Sequence, residues 1–190
     1  MDKRQRIIDA TIQLCLENGI EKTTISHIVK HAGIAQGTFY LYFPTKLAVM
    51  PAIAEQMVTI IHEKLSQIDR SESITMKMQK CIDTIFANTS AYQELTKLVY
   101  SGLTQTEEVK QWEKIYQPLY DWIFEVIEEA KLTGGINSEL DSGIVARIIM
   151  GSIESTAEQI YLFDYAPTIQ VEHVKNNLHT FIMNGLGKNI

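Results

Sequence analysis

Apolar side chains recur at steps of three and four along most of this chain, and no long run alternates apolar with polar, so the pattern is helical throughout. Ile8, Ile12, Cys15 and Leu16 share one face of a first helix expected from about Lys3 to Asn18, where Asn18-Gly19 supplies a left-handed stop. Thr24 is a natural N-cap for a second helix, whose inner stripe is Ile25, Ile28, Val29 and Ala32 and which ends at Gly33. A third helix, Gln36 to about Phe43, must be short because Pro44-Thr45 ends it. A fourth is expected from near Lys46 to Gln67, with Ile53, Met57, Ile60 or Ile61, and Leu65 inward and a bend at Pro51.

After the polar break Asp69-Arg70-Ser71-Glu72-Ser73, a fifth helix is marked by Ile74, Met78, Ile82, Ile85 and Phe86, and a sixth by Tyr92, Leu95, Leu98, Val99 and Leu103. The seventh, from about Thr106 to Leu132, carries two apolar stripes and should touch several neighbours at once. Gly134-Gly135 closes it, an eighth follows Asp141 to about Phe163, and a ninth runs from about Thr168 to Asn184-Gly185. The expected fold class is therefore all-α, about nine helices.

With 190 residues and 45% apolar side chains, the chain can bury a sizeable core. Its longest apolar stretch, Ile144 to Ile153, is broken by Arg147, far from the ~18 residues of a membrane span. The start MDKRQR lacks a signal peptide's apolar segment, so the expected location is the cytoplasm, away from any membrane. Cys15 and Cys81 lie far apart without a Cys-x-x-Cys pair and are expected to be reduced core residues. His27 and His31 stand four apart, but no third ligand or His-Glu-x-x-His pattern accompanies them, so no metal or cofactor is expected.

The net charge of -6 argues against a nucleic-acid partner until it is divided along the chain. Residues 1–46 hold six Lys or Arg against four acids, a surplus of two, whereas 47–190 hold eleven against nineteen, a deficit of eight. An anionic partner thus belongs at the N-terminal end, where three helices within forty-six residues have the outline of a helix-turn-helix. With Ile25, Ile28, Ala32, Ile34 and Phe39 inward, the third helix turns Gln36, Thr38, Tyr40, Leu41 and Tyr42 to solvent. At ~1.5 Å per residue such a helix is about 10 Å long and fits a major groove roughly 12 Å wide. Gln36 can pair with an adenine edge, Thr38 can meet a base or a phosphate, and Leu41 can pack on a thymine methyl. Thr24, Tyr40, Tyr42 and Lys46 suit phosphate anchoring, and Gly37 lets the backbone come close.

The set Ile8-x-Ala10, Gly19, Thr23-Thr24-Ile25, Ile28, Ala32-Gly33-Ile34, Gly37-Thr38-Phe39-Tyr40, Tyr42-Phe43 and Lys46 resembles the N-terminal domain of the TetR/AcrR family of bacterial transcription regulators almost position by position. Cys15, Tyr42 and Leu47 depart from it, standing where phenylalanine, histidine and glutamate are common. The resemblance implies a DNA-binding domain over 1–46, an effector-binding and dimerisation domain over 47–190, and repression of an operator relieved by a small hydrophobic ligand. It also implies a homodimer built from helices eight and nine. The residues ask for a dimer independently, since one short helix cannot supply the affinity of a specific site, and paired heads ~34 to 36 Å apart would meet successive major grooves of a near-palindromic double-stranded operator.

Candidate effector contacts are Met57 and Ile61 on the fourth helix, Phe86 on the fifth, Tyr92, then Trp112, Tyr116 and Tyr120 on the seventh, and Ile149 and Ile153 on the eighth. The same side chains can simply fill a core. Glu154 and Glu158, four apart, would suit a lipophilic cation or lie on a solvated face. For the dimer, Ile148, Ser152, Ser155, Gln159 and Leu162 on the eighth helix and Val174, Leu178 and Phe181 on the ninth can face a partner. With no Gly-x-Ser-x-Gly or phosphate-cradling loop, enzymatic activity is not expected. Two alternatives stay open: a helical carrier or enzyme with a vestigial helix-turn-helix, and a regulator that needs its ligand as co-repressor.

Overall fold

A computed structural model describes residues 2–103, 109–163 and 170–187, with side chains 100–103 and 109–112 left aside. The described helices are α1 (Lys3–Asn18), α2 (Ile25–Ala32), α3 (Gln36–Tyr42), α4 (Met50–Ser66), α5 (Ile74–Ala91), α6 (Gln93–Leu103), α7 (Val109–Leu132), α8 (Ser142–Tyr161) and α9 (Val171–Gly185). None of them is long and apolar enough to cross a membrane. The expected starts of the seventh and ninth helices, Thr106 and Thr168, lie outside the described residues.

The chain parts into two compact units: Met1–Met57 with Tyr92–Ile115, and Val58–Ala91 with Tyr116–Ile190. In the first, Ile7, Ile8, Ile28, Phe39 and Ile53 are fully buried, so α1, α2 and α3 share one core. Two glycines there have backbones that other residues adopt with difficulty. Gly19 closes α1 at φ 81°, and Gly33 closes α2 at φ 62°, with its N–H on the carbonyls of Lys30 and Val29. In the second unit, α5 packs on α8 and α9, and Met78, Cys81, Ile82, Leu119, Ile123 and Ile153 fill the interior. Asp141 caps α8 by accepting from the Ile144 N–H at 2.9 Å.

Proline placement differs from the sequence expectation. A 3₁₀ turn at Leu47–Val49 precedes α4, so Pro51 falls in the first turn of the α-helix, where a missing N–H sacrifices no bond and no bend is required. Among the described residues the proline inside a helix is Pro118, within α7, which deprives the Lys114 carbonyl of its usual helical donor. The apolar stripes on both sides of Pro118 continue through it and gave no sign of a break.

Candidate functional site

The turn between α2 and α3 is built by local chemistry. Thr24 holds the start of α2 by accepting from the His27 N–H at 3.2 Å, and the Ile34 N–H returns to the Val29 carbonyl at 3.0 Å. Phe39, 0% exposed, anchors α3 in the core, and its ring lies 5.9 Å from that of Phe43 just beyond the helix. With Phe39 turned in, the helix turns the rest of its surface out: Leu41 is 83% exposed, Tyr40 and Tyr42 are exposed, and so is Gln36, while Thr38 is half-buried. A Cβ at Gly37 would meet nothing within 4 Å, so no neighbour within the protein requires glycine there. Thr24 is exposed at the N-terminus of α2, where partial positive charge favours phosphate.

Lys46 is placed differently from its seven companions. Its side chain is half-buried, and Nζ donates to the carbonyls of Ile20 and, at 2.7 Å, Thr23. The Cys15 thiol nearby has its pKa raised by burial, an effect that the Thr23 hydroxyl and the Lys46 charge oppose. On the other flank, Lys22, His27, Lys30 and His31 border a hollow of about 520 Å³ with Leu14 and Asn18, and His31 Nε2 lies 3.0 Å from Gln13 Oε1.

In the second unit, Phe86 packs edge-on against Tyr161 at 6.2 Å, and Ile149 and Ile153 are buried alongside. Ile61 is buried too, while the Tyr116 and Tyr120 rings lie 6.2 Å apart, tilted to each other, and the Arg147 guanidinium lies 4.8 Å over the Tyr120 ring. Met57 and the exposed Tyr92 belong to the first unit, and the side chain of Trp112 lies outside the described residues. The structure thus groups Phe86, Tyr116, Tyr120, Ile149 and Ile153 in one unit. Within it, burial pushes the Glu154 carboxyl up to about 8, against a hydrogen bond from Tyr116 that favours the charged form, with Glu158 raising it further. Cys81, facing Glu154 from α5, is pushed up to about 12 by burial and by that carboxylate.

A cleft of about 400 Å³ in the same unit was not foreseen. His62, Arg70, Lys77, Pro118, Trp122, Glu125 and Glu129 line it, and the buried Lys77 ammonium is held by Glu129 at 2.7 Å. The sequence signal was available: Lys77 interrupts the inward stripe Ile74, Met78, Cys81, and a charge on a buried face needs a partner.

The α8 and α9 positions assigned to a partner divide. Ile148 is 57% and Phe181 69% exposed, and Ser155 and Gln159 are exposed. Ser152, Leu162 and Val174 are half-buried, and Leu178 lies in the subunit's own core.

Residues 7–53 match the family model described as bacterial regulatory proteins, tetR family, and residues 78–186 match a tetracyclin repressor-like C-terminal domain. An HTH-type transcriptional regulator of Bacillus subtilis, YvdT, is 36% identical over 186 residues, which is 97% of this chain and 95% of that protein. The fatty acid metabolism regulator protein of the same organism is 28% identical over 160 residues, 81% of each chain. Among solved structures, the transcriptional regulator FadR from Bacillus subtilis in complex with stearoyl-CoA has the same fold, with a TM-score of 0.76, 24% identity, and coverage of 95% of this chain and 98% of that one. Long matches at both ends of the chain, joined to a helix-turn-helix whose third helix shows its polar and aromatic side chains to solvent, establish that this chain belongs to the tetR family of bacterial DNA-binding transcription regulators.

Proposed function

We propose that the protein is a repressor that works in the cytoplasm as a twofold dimer, grips a near-palindromic operator with paired α3 helices, and lets go when a small hydrophobic effector enters its C-terminal part. The observation that carries this reading is α3 itself: seven residues anchored by one buried phenylalanine, with Gln36, Tyr40, Leu41 and Tyr42 exposed and open space at Gly37. Gln36, Thr38 and Leu41 are assigned to bases, and Thr24, Tyr40 and Tyr42 to phosphates. Residues 1–46 form the DNA-binding part and 47–190 the effector and dimer part. The exposed Ile148 and Phe181 are assigned to the twofold interface, Ile148 forming an exposed apolar pair with Ile144 one turn earlier on α8.

For the effector we assign a long-chain acyl thioester. The fatty acid metabolism regulator among the relatives and the stearoyl-CoA complex of a structural neighbour support this class. The test is a mobility shift with a duplex that the protein itself selects from a randomised library, titrated with stearoyl-CoA. Release corresponding to ~1 to 3 kcal/mol of coupling, about 5- to 150-fold in affinity, is expected. Tighter binding would instead make the ligand a co-repressor, and no response would remove acyl thioesters as the effector class.

A further inference from the structure

The cleft beside α7 has walls of opposite charge. On one side stand His62 of α4, Arg70 of the link between α4 and α5, and Lys77 of α5, and no acid lines the cleft from that side. On the other stand Asp121, Glu125 and Glu129, four residues apart on α7, so one face of that helix offers a row of carboxylates at ~6 Å intervals. The walls meet at two points, Lys77 to Glu129 at 2.7 Å and Arg70 to Glu125 at 3.9 Å, while Asp121 accepts from the Gln117 amide on its own helix at 2.7 Å. Trp122, Ile68 and Val126 add an apolar lining. All of these residues belong to the second unit, and none of the candidate effector contacts lines the cleft. Lys77 is the buried member: its side chain is 8% exposed, and Glu129 occupies one of the three donors of its ammonium. A buried ion pair holds a fold no better than apolar side chains of the same volume, so packing alone gives little reason for a lysine on the stripe Ile74, Met78, Cys81.

We infer that this cleft is a second ligand site, separate from the interior assigned to the hydrophobic effector, and that it takes a small zwitterion with an apolar side chain, of the α-amino acid class. The ligand's ammonium goes to Asp121 and Glu125, its carboxylate to Arg70 and Lys77, and its side chain to Trp122, Ile68 and Val126. The two walls select for both poles at once. A polyanion would face three carboxylates, a simple amine would face Arg70 and Lys77, and an uncharged apolar molecule would strip water from both walls without replacing it. The volume of about 400 Å³ is that of a small-molecule site. Arg70 and Glu125, with side chains 85% and 63% exposed, part at little cost to admit the ligand, as exposed ion pairs do.

The test is a calorimetric titration of the wild-type full chain with L-phenylalanine and with two compounds that each lack one of its poles: 2-phenylethylamine, without the carboxylate, and 3-phenylpropionate, without the amine. L-phenylalanine should bind saturably, and each one-pole compound at least tenfold more weakly, about the effect of losing one charge-assisted contact. Arg70→Gln should weaken L-phenylalanine about tenfold and leave 2-phenylethylamine no weaker. Asp121→Asn should weaken L-phenylalanine about tenfold and leave 3-phenylpropionate no weaker. Both substituted side chains are exposed, so neither change disturbs the core. No saturable heat from L-phenylalanine, equal affinity for all three compounds, or an affinity for L-phenylalanine untouched in either variant would overturn the inference. The titration contains neither DNA nor stearoyl-CoA, so its outcome is independent of the repressor reading.

Discussion

The two units of this protein are held together over different distances along the chain. In the helix-turn-helix unit the side-chain ties around α2 join residues about two dozen positions apart, Arg6 to Ala32 and Lys46 to Thr23, with Arg4 to Glu55 reaching 51, and the helix ends are closed by Thr24 and Gly33 within their own turns. In the other unit the longest polar ties reach further: Lys77 to Glu129 is 52 positions, Lys175 to Asp83 is 92 and His179 to the Thr75 carbonyl is 104. A reading surface needs only one short helix with its outward side chains in view. The interior of the other unit is assembled from α5, α8, α9 and the parts of α4 and α7 that belong to it, whose mutual placement no local signal specifies.

The largest effect expected from a single change tests the first half of that contrast. Phe39→Ala removes the one fully buried side chain of α3 and should cost about 3–5 kcal/mol of stability in chemical denaturation, together with operator binding. A loss below about 1 kcal/mol would show that α3 is held by something other than this anchor.

Next comes the interior of the second unit. Because the folded-state pKa of Glu154 is raised to about 8 from 4.5, its contribution is fully present below the unfolded value and is lost as pH rises through the folded one. Thermal stability of the wild type should therefore fall between pH ~4.5 and ~8 relative to Glu154→Gln, by about 2 kcal/mol once solvent around the half-buried carboxyl is allowed for. Parallel melting curves across that range would mean that the carboxyl titrates normally.

Gly33→Ala forces a left-handed backbone on a residue with a side chain and pushes Arg6 off two carbonyls, so about 1–2 kcal/mol should be lost. The smallest effect is expected for Thr24→Ala, about 1 kcal/mol for a helix cap. Equal losses at Gly33 and at Gly37, where a side chain would meet open space, would break the distinction between a glycine that the fold requires and one that it does not.

These comparisons also show how much was legible in the sequence. Thr24, Gly33 and the spacing of Ile28 and Phe39 carry their meaning within one or two helical turns, and helices two and three form where those signals place them. Pro51 misled because a short 3₁₀ turn moved the start of α4 past Lys46, putting the ring in a first turn. Pro118 escaped notice because apolar periodicity is blind to a missing N–H. The two carbonyls that Lys46 reaches, those of Ile20 and Thr23, lie more than twenty positions back along the chain, so only the folded loop reveals them. Lys77, Trp122 and Glu129 come together in the cleft by tertiary packing, so their shared role could not be read from spacing along any one helix.

The most direct measurement is selection from a randomised duplex library by the purified full chain, followed by sequencing of what it retains. Paired α3 heads predict two inverted half-sites about 10 base pairs apart centre to centre, with Gln36→Ala relaxing the preference at the same base pair in each half by about 1–3 kcal/mol. Enrichment of a single unrepeated motif, of no motif, or of one that Gln36→Ala leaves untouched would contradict the account.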